Sequence, residues 1–153
     1  MPDLLYFEDF PLGEAVEYGG VDVSTDEIIA FAREFDPQPY HIDEEAGHAA
    51  TGGLIASGWH TCAMLLRMNC DEFLARTAIL EEAGIEEVQW RRPVRPGDRL
   101  HVRRTTLAKR QAKGRTGEGE VEFLYEVFNQ HDEVAMTQRC LLKLKQRLEP
   151  FGN

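Results

Sequence analysis

Cysteine is scarce. Only Cys62, Cys70 and Cys140 occur in 153 residues, and no two of them stand in a C-x-x-C pair. An odd, sparse set in apolar surroundings predicts reduced, buried thiols rather than a disulfide framework. The missing ligand spacing also leaves no metal site to expect. Long hydrophobic runs are absent too: nothing approaches the ~18 residues that span a bilayer, and the opening MPDLLYFEDF has no basic n-region. Together these predict a cytoplasmic protein. Positive charge is in deficit, with 17 Lys and Arg against 27 Asp and Glu, a net charge of −10. Such a molecule repels nucleic acid and anionic membranes, so neither is an expected partner. Repeats, low-complexity segments and domain linkers are lacking as well, so residues 1–153 are expected to form one domain around one core.

What is present is a change of period. Hydrophobic residues make up 42% of the chain, enough for a proper core. Residues 13–24, GEAVEYGGVDVS, have the β-branched content of a first strand. In STDEIIAFAREF (24–35), Ser24 and Glu27 stand at capping-box spacing, and Ile28, Ile29, Ala32 and Phe35 recur at helical spacing. Pro37 ends that helix by pushing Asp36 out of the α region. Residues 43–50 predict one or two helical turns capped by Asp43, and 51–58 a glycine-rich turn. Residues 59–80 predict the longest helix, apolar nearly all round and therefore buried.

From residue 84 the period becomes 2. Strands are predicted over 84–94, 98–110, 119–129 and 133–146, the third alternating Val121, Phe123, Tyr125 and Val127 with Glu120, Glu122 and Glu126. Tight turns at 95–98 and 130–133, and a hairpin loop at 112–119, predict an antiparallel meander. Four one-faced strands after a long apolar helix are satisfied most simply by a sheet wrapping the helix, an α+β fold with one core. Open sheet edges invite pairing between copies, so a homodimer is expected.

Chemistry concentrates in EFDPQPYHIDEE (34–45). Fully extended, the five residues from Asp36 to His41 span roughly 16–18 Å. A turn across Pro37-Gln38-Pro39 would bring the two side chains together, and the prolines would hold it. A carboxyl and an imidazole on one substrate make a proton-donor and proton-acceptor pair; otherwise Asp36 caps and His41 packs. Further along, IASGWHT (55–61) puts Ser57 and Gly58 at a helix start. There an unpaired backbone N–H can meet a carbonyl oxygen that becomes an enolate, or Ser57 simply caps the helix. His60 is a structural candidate, and His48, His101 and His131 look like surface or loop residues. Arg91, Arg92, Arg95, Arg99, Arg103, Arg104, Lys109, Arg110, Lys113 and Arg115 form either a solvated face balancing acidic strands or a rim for an anionic ligand.

The run Asp36-Pro37-Gln38-Pro39-Tyr40-His41-Ile42-Asp43 resembles the signature of the MaoC-like dehydratases, relatives of the (R)-specific enoyl-CoA hydratases. GGLIASGWHT (52–61) and WRRPVRPGDRL (90–100) continue the resemblance in the same order. It implies a hot-dog fold, an antiparallel sheet wrapped around a long central helix, in agreement with the packing argument. It further implies that Asp36 and His41 are the catalytic dyad and that Gly58 N–H polarises a thioester carbonyl, with Ser57 beside it in substrate binding. Dimers or dimer-based assemblies acting on acyl-CoA complete the implication. Phe35 departs from the glycine that relatives often carry, which would reshape the acyl pocket.

The expected activity is a hydro-lyase reaction: reversible hydration of an enoyl-CoA to a 3-hydroxyacyl-CoA, with no cofactor beyond the CoA of the substrate. His41 is assigned to water and Asp36 to the Cα proton, a division that spacing alone leaves open. The alternatives are a hot-dog acyl-CoA thioesterase, whose carboxylate activates water against the thioester carbonyl, and a non-catalytic acyl-CoA-binding subunit.

Overall fold

The computed structural model describes residues 3–111 and 117–147. A 3₁₀ turn at Phe7–Asp9 precedes β1 (Ala15–Asp22), followed by α1 (Thr25–Phe35), α2 (Pro39–Ile42), α3 (Glu44–Thr51) and α4 (Gly58–Glu72). After a 3₁₀ turn at Leu74–Arg76 come β2 (Ile79–Trp90), β3 (Arg99–Gln111), β4 (Glu118–Phe128) and β5 (Val134–Lys145). The strands form one five-stranded antiparallel sheet in the order β1-β3-β4-β5-β2. The sheet wraps α4, as in a hot-dog fold. Leu65, Met68 and Phe73 from the helix side meet Leu100, Val102, Val121, Phe123 and Met136 of the sheet in one buried cluster. The two capping expectations hold at the backbone. Ser24 Oγ accepts the Glu27 N–H at 3.1 Å, Asp43 Oδ1 accepts that of Glu45 at 3.1 Å, and Gly52 closes α3 at φ +81°.

The long helix is shorter than its apolar pattern predicted. It stops at Glu72, because Phe73 leaves helical geometry (φ −148°) to bury its ring in the core. Residues from Ile79 onward then join a ladder with β5, so β2 begins five positions before the expected residue 84. It ends at Trp90 rather than residue 94, ahead of Pro93.

Only β3, β4 and β5 form the expected meander. β2 lies at the far edge beside β5, and residues 91–98 cross the molecule to reach β3. Two prolines at 93 and 96 prevent this segment from turning back as a hairpin. Instead the Arg91 and Arg92 N–H groups bond Ala135 O, and Val94 O accepts from the Ala56 N–H just ahead of α4. That crossing forms one wall of the candidate site. The expected hairpin loop at 112–119 falls largely outside the described residues.

Nor is α4 buried all round. Trp59 and Leu66 are 59% and 51% exposed, on the side of the helix where Ile85 of β2 is also exposed. Among the described residues, no helix is long and apolar enough to cross a membrane.

Candidate active site

Asp36 terminates α1. Its N–H still bonds Ala32 O at 2.8 Å, but its own backbone (φ −152°, ψ 68°) turns out of the helix, as the following proline requires. Gln38 caps α2, Pro39 occupies the first turn, and the His41 N–H returns to Gln38 O at 2.9 Å. This single tight turn replaces the extended span, so His41 Nε2 lies 3.4 Å from Asp36 Oδ2. His41 is only 5% exposed.

Both side chains are held from behind. His41 Nδ1 is 2.7 Å from Ile55 O, an acceptor only, so Nδ1 carries the proton and donates. Nε2 is left to face Asp36. Asp36 Oδ1 accepts from Gln38 Nε2 at 2.7 Å, and Oδ2 accepts from Ser57 Oγ at 2.7 Å. Gln38 is itself oriented by the Tyr40 hydroxyl, which donates to Oε1 at 2.8 Å. The Ser57 hydrogen bond, then that of Gln38, holds the Asp36 carboxyl below its ordinary value.

Ser57 is fully buried and caps α4, its Oγ also accepting the Trp59 N–H at 3.2 Å. Its side chain therefore bonds Asp36, a contact that the reading of Ser57 beside the substrate did not include. Gly58 opens α4, where the first N–H groups lack intrahelical acceptors, and its N–H has no acceptor among the described residues. Trp90 Nε1 donates to Gly58 O at 2.9 Å with its indole lying over the glycine. A Cβ there would stand 2.5 Å from Trp90 Cε2, so no other residue fits without moving the ring.

Asp36, His41, Gly58, Trp59, Trp90 and Arg91 line one cavity of about 430 Å³. The structure thus brings together all four residues singled out in the sequence. Phe35 does not join them. It is 67% exposed and packs on Phe31 at 5.2 Å, on the outer side of α1. His60 is buried against Phe31, stacked at 4.7 Å; His48 and His131 are exposed, and His101 lies 3.6 Å from Asp132.

Of the basic cluster, Arg99 pairs with Asp22, Arg103 with Glu126 and Arg110 with Glu120 on the sheet surface, whereas Lys113 and Arg115 lie outside the described residues. Arg92 pairs with Glu133 and Arg95 donates to Thr51 O. Arg91 alone of the cavity-lining arginines has no ion pair among the described residues. Sequence reasoning missed Trp90 and the Ile55 carbonyl. The first had a signal in its place at a strand end before Arg91-Arg92-Pro93, whereas a backbone carbonyl leaves none.

An antiparallel sheet wrapped around a central helix defines a hot-dog fold, and here the Asp36–His41 pair stands at the helix's leading end. Comparison places it further: the MaoC-like domain model matches residues 9–127, and the chain belongs to that family. The crystal structure of the MaoC-like dehydratase from Rhodospirillum rubrum has 37% identity and a TM-score of 0.86, over 95% of this chain and 99% of that one. The Bacillus subtilis (strain 168) protein YdeM, itself uncharacterized, is 32% identical over 111 residues, 72% of this chain and 79% of its own. The R-hydratase PhaJ1 from Pseudomonas aeruginosa has 19% identity and a TM-score of 0.72 over 97% and 94%, a likeness of fold.

Proposed function

We propose that this protein catalyses the reversible hydration of a 2-enoyl-CoA to a 3-hydroxyacyl-CoA, with Asp36 and His41 as the catalytic pair. The observation that carries the reading is the 3.4 Å approach of Asp36 Oδ2 and His41 Nε2 beside the free Gly58 N–H in one cavity. Family membership supports hydratase or dehydratase chemistry; the residues argue how it is divided. Ser57 and Gln38 hold Asp36 ionised, so in this scheme Asp36 serves as the base and His41 Nε2 is the group that delivers a proton. Asp36 then takes a proton from water as the oxygen bonds Cβ, and His41 delivers its proton to Cα. The electron pair of the alkene resides meanwhile on the thioester oxygen, which the Gly58 N–H stabilises. Proton transfer from Asp36 to His41 across their contact restores the pair. This reverses the expected division of roles, which spacing had left open. No cofactor enters the scheme, because the thioester itself acidifies Cα.

Arg91 and Arg92 at the cavity wall supply positive charge for the CoA phosphates, which retains a small part of the anionic-rim reading. The unpaired edge of β2, with Ile85 57% exposed, supports a homodimer.

The test replaces Asp36→Asn and His41→Gln separately and follows loss of enoyl absorbance with crotonyl-CoA. Each variant is expected to retain its circular dichroism and lose at least about 10³-fold in kcat/KM. Rates near wild type in both would sink the assignment. Free CoA thiol appearing in step with absorbance loss would instead mark a thioesterase, and tight acyl-CoA binding with no turnover a binding subunit.

A further inference from the structure

A second cavity, of about 540 Å³, lies between α4 and the strands β2, β4 and β5. Trp59 lines it and the catalytic cavity alike, so the two adjoin. Most of its wall is apolar, with Leu66 and Ile85 exposed at the mouth. Yet Asn69, Tyr125 and Gln138 line it too, at 3%, 2% and 8% exposure. Buried hydrogen-bonding side chains cost free energy unless each finds a partner, so an apolar occupant does not account for these.

Two of them are only half used. The Tyr18 hydroxyl donates to Asn69 Oδ1 at 2.6 Å, which leaves the Asn69 NH₂ without an acceptor among the described residues. Gln138 Nε2 stands 3.9 Å from Cys62 Sγ, a weak acceptor, and Gln138 Oε1 has no donor among the described residues. Neither atom is sealed from solvent as His60 Nδ1 is, so both open on the cavity that their residues border. The cavity thus offers one donor and one acceptor. Glu82 is its one charged lining side chain, and no cation lines it, so an anion would meet like charge without a counter-charge. A purely aliphatic chain would cover the two amides without satisfying them. A hydroxyl accepts from an amide NH₂ and donates to an amide oxygen, and it carries no charge.

Resting on the hydratase reading, we propose that this cavity receives the distal part of the acyl chain and that the chain carries a hydroxyl there, recognised by the Asn69 NH₂ and the Gln138 amide oxygen. The substrate class is a 2-enoyl-CoA with a neutral hydroxyl far from the thioester. Along α4, Cys62 beside Gln138 is roughly 6 Å from Gly58, and Asn69 roughly 16 Å, at 1.5 Å per residue. The two amides therefore bracket a stretch several carbons beyond the reacting double bond.

The test is calorimetric and uses saturated thioesters, which have no double bond to hydrate. Acyl-CoAs of six to twelve carbons with a terminal hydroxyl are compared with alkyl and terminal-carboxylate chains of equal length, on wild type and on Gln138→Met. At the best-fitting length, the hydroxylated chain is expected to bind wild type at least about fivefold tighter than the alkyl chain. That ratio should fall to near one in Gln138→Met, where the hydroxyl loses its acceptor. Alkyl binding that is equal or tighter at every length overturns the proposal, and so does a ratio unchanged in the variant. Tighter binding of the carboxylate series overturns it as well. Should Gln138→Met not fold, the wild-type comparison decides alone. A hydroxyl preference in binding with no hydration of any enoyl-CoA upholds the subsite and overturns the hydratase reading. Hydration of alkyl enoyl-CoAs with no hydroxyl preference does the reverse.

Discussion

Ser57→Ala separates two jobs that one oxygen performs. The Ser57 hydroxyl caps α4 through the Trp59 N–H and donates to Asp36 Oδ2. Losing the cap costs about 1 kcal/mol. The bond to a carboxylate is worth roughly 1.5–3 kcal/mol, and because the Asp36 side chain keeps 17% of its surface in contact with water, the lower end applies. The sum of about 2.5 kcal/mol corresponds to a fall of roughly 5–10 °C in Tm at neutral pH.

The pH dependence tells the two contributions apart. The folded-state pKa of Asp36 is depressed, so its stabilisation is present above the ordinary value of 3.8 and is lost as pH falls through the depressed one. Urea denaturation of wild type and Ser57→Ala should therefore differ most near neutrality. The gap should narrow at acid pH toward the capping contribution alone. In kinetics, the acid limb of kcat/KM should move upward in the variant, with a loss of roughly 10–100-fold on the plateau. A stability gap that stays constant through the acid range, with an unmoved acid limb, would refute the claim that Ser57 sets the ionisation of Asp36.

Gly58→Ala drives a methyl group into the Trp90 indole, so a destabilisation of about 1–3 kcal/mol is expected. Pairing it with Trp90→Leu should recover stability in thermal melts; no recovery would mean that the indole is not the obstacle. His60 is buried with its Nδ1 unpartnered, and burial holds its pKa below the ordinary 6.5. The unfolded chain then binds the extra proton first, so stability should decline as pH falls below 6.5, and His60→Phe should flatten that slope in urea midpoints. Ile85→Asp on the exposed edge strand should shift sedimentation toward monomer, whereas a wild-type profile would place the contact between copies elsewhere.

How much of this was readable in the residues follows the range of each interaction. The α1 cap, the proline stop at Asp36 and the alternation of β4 act within a few positions, and they form as the pattern implies. The end of α4 did not, because Phe73 leaves the helix for a core that only the folded sheet supplies. Strand order failed for a like reason. Short connections suggest neighbours, but the prolines at 93 and 96 carry the chain across the molecule. The apolar circumference of α4 was read as burial, yet one chain covers only part of it. In the site, Asp36 and His41 were visible because a stiff turn is written in its own prolines. The contacts that fix their protons come from Ser57 and the Ile55 carbonyl, 21 and 14 positions away.

That dependence has a consequence for how the site is built. Ser57 and Gly58 are neighbours at the start of α4: one donates to the Asp36 carboxylate, and the other leaves an N–H without an acceptor among the described residues, where the proposed reaction would put its oxyanion. Both functions derive from the same property of a helix start, the surplus of unpaired N–H groups. The Ser57 oxygen takes one of them, which leaves its own proton to donate to Asp36. Trp90 seals the other side by holding Gly58 O and covering its Cα. A shift of α4 along its axis would therefore move Ser57 and Gly58 together but draw the Ser57 hydroxyl away from Asp36, which terminates α1. A shift of α2 would part His41 from Asp36. Strain at either place should accordingly impair the proposed catalysis, at the start of α4 through the Ser57 bond to Asp36 and in the short turn with its two prolines through the spacing of Asp36 and His41.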